Sequence, residues 1–163
     1  MQLTKPFSYI AKIFILSLML SSNVLAFFSD KGPTYVDWKG FAIKGYDTVA
    51  YFTENKSVKG KKEFEYEWNH GKWLFTSQQN LDTFKANPKK YAPQYGGYCA
   101  YAAAAVNDLV KIDPKQFNIV DGKLYLNFNK KFNDKWNNNS DQYIVDGDKN
   151  WPELLAKALK TVK

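Results

Sequence analysis

Residues 63–77 read EFEYEWNHGKWLFTS, and the fold turns on how they are read. Phe64, Tyr66 and Trp68 alternate with Glu63, Glu65 and Glu67, a period of two that places three rings on one face of a strand and three carboxylates on the other. Asn69, His70 and Gly71 tolerate positive φ, so a turn is expected there, with Lys72 to Phe75 returning as the partner strand. The next segment, TSQQNLDTFKANPKKY, predicts a short helix. Ser77 is a good N-cap, Leu81 and Phe84 share one side, and Pro88 stops it.

Working outward, FNIVDGKLYLNFN (117–129) signals a second hairpin about the two-residue turn Asp121-Gly122. GYCAYAAAAV (97–106) fits a small-residue helix that carries Cys99. NKKFNDKW (129–136) sets Phe132 and Trp136 four residues apart on an amphipathic helix, which should end in the Asn-rich NNNSDQ. A last helix is expected from NWPELLAKALKTVK, with Pro152 in its first turn and Glu153 near its positive end. Upstream, TYVDWKGFAIKGYDTVAYF (34–52) suggests short strands joined at Gly40 and Gly45. The order of hairpin, helices, hairpin, helices gives an α+β fold: a small single domain of antiparallel hairpins packed against short helices.

The first 26 residues have the pattern of a signal peptide: Lys5 and Lys12, an apolar run from Ile13 to Leu20 too short to span a bilayer, and Val24-Leu25-Ala26 as the cleavage junction. Residues 27–163 would then be the exported domain, periplasmic or secreted, with no stable transmembrane span after cleavage. The whole chain carries a net charge of +7, and all of its basic side chains are lysine. Without arginine, whose planar fork reads phosphate and guanine, an exported basic chain argues against nucleic acid as a partner. Aromatic residues are 17% of the sequence, enough to build the core of a domain with no disulfide or to line a ligand pocket.

Cys99 is the only cysteine and His70 the only histidine. Behind Gly96-Gly97, Cys99 could sit in the first turn of its helix, where backbone dipoles lower a thiol's pKa, or be a buried small hydrophobe among alanines. His70 is expected on an exposed turn, either a turn residue or a ligand. Nothing in the spacing pairs the two for nucleophilic catalysis, and no catalytic residue is assigned. The Glu63, Glu65 and Glu67 face reads as a solvated one beside Lys59, Lys61 and Lys62. DGDKNW (146–151) imitates a calcium loop but has Trp151 where Gly is required.

These elements together resemble the YHS domain. The matching pieces are GYDTVAYF (45–52), W-x-x-G-x-W-x-F (68–75), YAPQYGGYCA (91–100), DGKLYLN (121–127) and NWP (150–152), and the set is similar to an exported bacterial branch of that family, covering residues 27–163. The resemblance implies a metal-handling context. In metal-associated YHS modules the thiols fall around F-C-S-x-x-C, and the matching positions here are Thr76 and Asn80, neither a soft ligand. Cys99 falls in the GGYCA motif of the exported branch. Two readings follow, with a third and weaker one, a thiol-dependent redox or acyl-transfer enzyme, that would need a low-pKa Cys99 and has no resolving cysteine. In the first, the protein holds or passes a soft metal such as a copper ion through Cys99 with help from His70 or Asp47, near a pocket lined by Tyr46, Tyr95 and Tyr98, and meets an envelope protein partner. In the second, it is an interaction or small-ligand-binding module, and Cys99 is core packing.

Overall fold

The computed structural model describes residues 32–161; the signal-peptide expectation for residues 1–26 lies outside them. The chain enters through a tight turn at Asp37–Gly40, where the Asp37 carboxylate accepts from the amides of Lys39 and Phe41 at 2.9 and 3.0 Å. Helix α1 (Thr48–Thr53) follows, then the hairpin β1 (Lys61–Trp68) and β2 (Gly71–Phe75), helices α2 (Gln78–Ala86), α3 (Pro88–Tyr91) and α4 (Ala100–Ala105), the hairpin β3 (Asp113–Val120) and β4 (Lys123–Asn127), and helices α5 (Lys130–Asn137) and α6 (Ser140–Lys160). Each hairpin is a separate antiparallel two-stranded sheet, so the fold is α+β as expected.

Both turns fall where the sequence places them. Asn69 and His70 have φ of 47° and 64°, and Asp121 and Gly122 have φ of 50° and 68°, the left-handed pair that lets a two-residue loop follow the twist of its strands. Along β1 the rings of Phe64, Tyr66 and Trp68 are half-buried while Glu63, Glu65 and Glu67 face water. The ring face packs on α2: Phe84 lies 5.1 Å from Trp73, 5.2 Å from Phe75 and 5.6 Å from Trp68, centroid to centroid. Removing a ring so enclosed costs about 3–5 kcal/mol. Ser77 caps α2 through the amide of Asn80 at 3.2 Å.

Three expectations are corrected. The segment 34–52 makes isolated bridges, such as Val36 with Ala42, and then helix α1, in place of a series of strands. The helix drawn from Asn150 onward is the second half of α6, which runs unbroken from Ser140 through Pro152. A proline inside a helix removes its own N–H bond to the carbonyl four residues back and crowds that carbonyl with its ring, at a cost of about 3 kcal/mol. Here packing outweighs that loss, since Gly147, Leu154 and Ala158 are buried along the helix. With 21 residues α6 is also not short, and Pro152 and Glu153 lie in its interior. DGDKNW is thus helix rather than a loop.

The core gathers Trp73, Phe75, Phe84, Leu124, Leu126, Trp136 and Leu154 around the alanines of α4. Alanine lets α4 and α6 approach closely. Their contact is fixed by Asn150, whose side-chain amide donates to the carbonyls of Ala103 and Ala104 at 2.9 and 3.1 Å and so satisfies the open C-terminal end of α4. No described helix is long and apolar enough to cross a membrane.

Candidate functional site

Cys99 is the N-cap residue of α4, but its side chain makes no capping bond. That role passes to Asn127 at the end of β4, which is fully buried; its Oδ1 accepts from the amide of Tyr101 at 3.0 Å. The same oxygen lies 3.6 Å from Cys99 Sγ, and the sulfur accepts from the amide of Phe128 at 3.3 Å. Only 1% of Cys99 is exposed. Burial raises the thiol's pKa, opposed by the nearby backbone amides of Ala102, Phe128 and Tyr101. The expectation that helix dipoles lower this pKa therefore fails: the amides are present, but loss of water around the sulfur is the larger effect.

The side chains proposed as metal ligands do not converge. Among the described residues no group of three or more His, Cys, Asp and Glu side chains is placed to hold a metal ion. His70 is exposed on the β1–β2 turn. Asp47 is fully buried, and its carboxylate is filled by this chain's own donors. Oδ1 accepts from the amides of Val49 and Ala50 at 2.9 and 3.3 Å, capping α1. Oδ2 accepts from the amide and hydroxyl of Thr76, both at 2.8 Å, and from the Asn80 side chain at 2.7 Å. Thr76 and Asn80 are the two positions that the motif resemblance aligns with thiols. They do meet in space, 3.1 Å apart, and they meet on Asp47. A carboxylate held by five neutral donors needs no cation for its charge. The Asp47 cluster offers only hard oxygen ligands, and Cys99 offers a single soft sulfur.

An open cleft lies elsewhere, with a volume of about 270 Å³. One wall is Trp68 and Trp73 of the first hairpin, with ring centroids 6.0 Å apart; the other is Tyr95 and Trp151, 5.9 Å apart. Lys89 of α3 stands at its edge. The polar ends of two rings are already engaged. Trp73 Nε1 donates to the carbonyl of Trp68 at 2.9 Å, and the Tyr95 hydroxyl donates to Asp148 at 3.0 Å, with the carbonyl of Ile144 at 3.3 Å. Burial, with the Asp148 charge behind it, raises the pKa of Tyr95, so this hydroxyl stays protonated. Lys89 is exposed and forms no ion pair among the described residues.

The turn carrying Tyr95 depends on its glycines. Gly96 has φ of 61°, and a Cβ there would stand 2.1 Å from the carbonyl oxygen of Pro33, which also lines the cleft. Of the tyrosines expected to line a pocket, Tyr95 does. Tyr98 is instead buried with its hydroxyl donating to the carbonyl of Gly32 at 2.8 Å, and Tyr46 packs beneath Lys59. Trp68, Trp73, Trp151 and Lys89 were not singled out from the sequence as ligand contacts. Trp68 and Trp73 were legible as hairpin rings, but nothing in the sequence joins them to Trp151.

The family model of the YHS domain matches residues 49–95. The chain is a YHS domain-containing protein. The matched stretch holds α1, the first hairpin, α2 and α3, and thus three of the four cleft rings and Lys89; Trp151 and Cys99 fall outside it. No curated protein and no solved structure matched the chain. Within the YHS stretch, the Asp47 partners Thr76 and Asn80 tie the hairpin to α2, and the cleft is the feature open to solvent.

Proposed function

We propose that this YHS domain-containing protein is an exported binding module that takes a small organic ligand with a flat apolar face and an anionic group. The observation that carries the reading is the cleft edged by the half-buried rings of Trp68 and Trp151, backed by the buried Trp73 and Tyr95, beside Lys89, which forms no ion pair among the described residues. The half-buried rings of Trp68 and Trp151 offer open surface to an apolar partner, and an ammonium at the rim selects a negative group. The volume lies just under the usual range, which starts at about 300 Å³, and so suits only a small ligand. Export is supported by the basic, apolar and small-residue order of residues 1–26.

The family's metal association supports a second reading, in which Cys99 holds copper. It draws on the amides that favour a thiolate, and it lacks a second soft ligand. Titration of the protein lacking residues 1–26 with phenylacetate and benzoate, read by tryptophan emission, tests the first. Saturable quenching is expected, weakened at least tenfold by Trp68→Ala or Trp151→Ala and reduced for the matching neutral amides. No saturation, or equal binding by Lys89→Ala, would reject it. An anaerobic Cu(I) titration distinguishes the second: one equivalent lost in Cys99→Ser would favour the metal.

A further inference from the structure

We infer that the turn at Asp37–Gly40 and the lysines around it form a docking surface for an anionic lipid membrane. Trp38, at the tip of this turn, is 87% exposed, the most exposed of the large hydrophobic side chains described. Leaving an indole in water is unfavourable, and nothing in the fold covers this one.

The surrounding charge is cationic. Lys39 Nζ lies 4.7 Å from the Trp38 ring centroid, Lys62 Nζ lies 6.0 Å from that of Phe41, and Lys59 Nζ lies 4.9 Å from that of Tyr46. These are one surface. The turn is closed by the Asp37 amide on the Phe41 carbonyl at 3.0 Å, and a Cβ on Gly45 would stand 3.6 Å from both Phe41 Cβ and Lys59 Nζ. Lys59 also donates to the carbonyl of Lys44, which brings a fourth ammonium-bearing residue alongside. None of these four lysines forms an ion pair among the described residues. The acids nearby are weak competitors. Asp37 is engaged with the turn's own amides, Glu65 and Glu67 share Lys72 at 3.8 Å each, and only Glu63 is left beside Lys62.

An indole standing out from a turn, with Lys39 against it and further ammonium groups on the adjoining surface, matches the two layers of a membrane interface. The ring settles at headgroup depth, while the lysines meet anionic phosphates. An acidic protein would also attract the lysines, but it would need a pocket for Trp38. A lipid headgroup layer deforms to receive it. This inference is independent of the cleft and of its ligand.

Co-sedimentation with phosphatidylcholine vesicles, with and without phosphatidylglycerol, tests it on the protein lacking residues 1–26. Binding is expected only to the anionic vesicles, falling as salt is raised. Lys39→Gln and Lys62→Gln should each weaken partitioning about fivefold, since a lysine near an anionic surface contributes about 1 kcal/mol. Trp38→Ala, a change at an exposed tip, should weaken it further and remove the blue shift of emission on binding. Equal binding to neutral vesicles, or unchanged binding by Trp38→Ala, would overturn the inference. So would retention on immobilised polyglutamate without vesicle binding, which would point to an acidic protein instead.

Discussion

Replacing Asp47 with alanine should be among the most damaging single changes in the domain. The carboxylate caps α1 through Val49 and Ala50 and holds the β2–α2 junction through Thr76 and Asn80. Loss of a cap costs about 1 kcal/mol. A buried amide left without an acceptor costs about 1–3 kcal/mol, which applies first to Thr76 N–H, because the Thr76 and Asn80 side chains still bond to each other. Together these give about 2–4 kcal/mol, out of a total stability of about 5–15 kcal/mol for a domain. Asp47→Asn keeps the shape but turns one oxygen into a donor facing another donor, and should cost about 2 kcal/mol. Urea denaturation followed by tryptophan emission reads both, with the slope unchanged if only stability moves. A loss below about 1 kcal/mol for Asp47→Ala, or none for Asp47→Asn, would refute the view that this carboxylate is a structural clamp.

The Cys99 thiol has a folded-state pKa above its unfolded value of about 8.5, so its contribution to stability is complete below that pH and is lost as pH rises toward the folded value. Tyr125, pushed up to about 12 mainly by burial, acts in the same direction from about pH 10 upward. Stability measured from pH 7 to 11 should therefore fall on the alkaline side, and Cys99→Ala should flatten the first part of the fall at a neutral-pH cost of about 1 kcal/mol. Iodoacetamide should label native Cys99 far more slowly than the unfolded chain at the same pH; equal rates would contradict the burial. Gly147→Ala would set a Cβ 2.6 Å from the Tyr95 hydroxyl oxygen and should destabilise by about 1–3 kcal/mol. A double-mutant cycle with Tyr95→Leu, which removes both the hydroxyl and the ring carbon 2.7 Å away, should recover part of that loss; strict additivity would mean that the clash is elsewhere.

Local pattern made the hairpins legible, because alternation along β1 and the residues at Asn69-His70 and Asp121-Gly122 act within a few positions of themselves. Helix α1 escaped because it is six residues long and its stability comes from Asp47, whose other partners lie across the hairpin. The continuity of α6 escaped for a related reason. Asn-rich sequence and proline both signal an end, and the packing that overrides them involves Tyr95 and α4, remote in sequence. The thiol's burial could be read from its alanine neighbours, but the sign of its pKa shift depended on how completely β4 covers it. As for the cleft, one wall is written in the first hairpin, whereas the other exists only once Trp151 is brought beside Tyr95.

The placement of α6 bears on how the chain reaches this state. Its buried Leu154 and Ala158 belong to the same core as residues of the two hairpins, and it covers the alanine face of α4. On the ribosome, residues 100–105 emerge well before 140–160 do, so for that interval the nascent chain carries an apolar face with no native cover. A holding chaperone that recognises short aliphatic stretches would find its target there, and would release it when the long helix arrives to take its place.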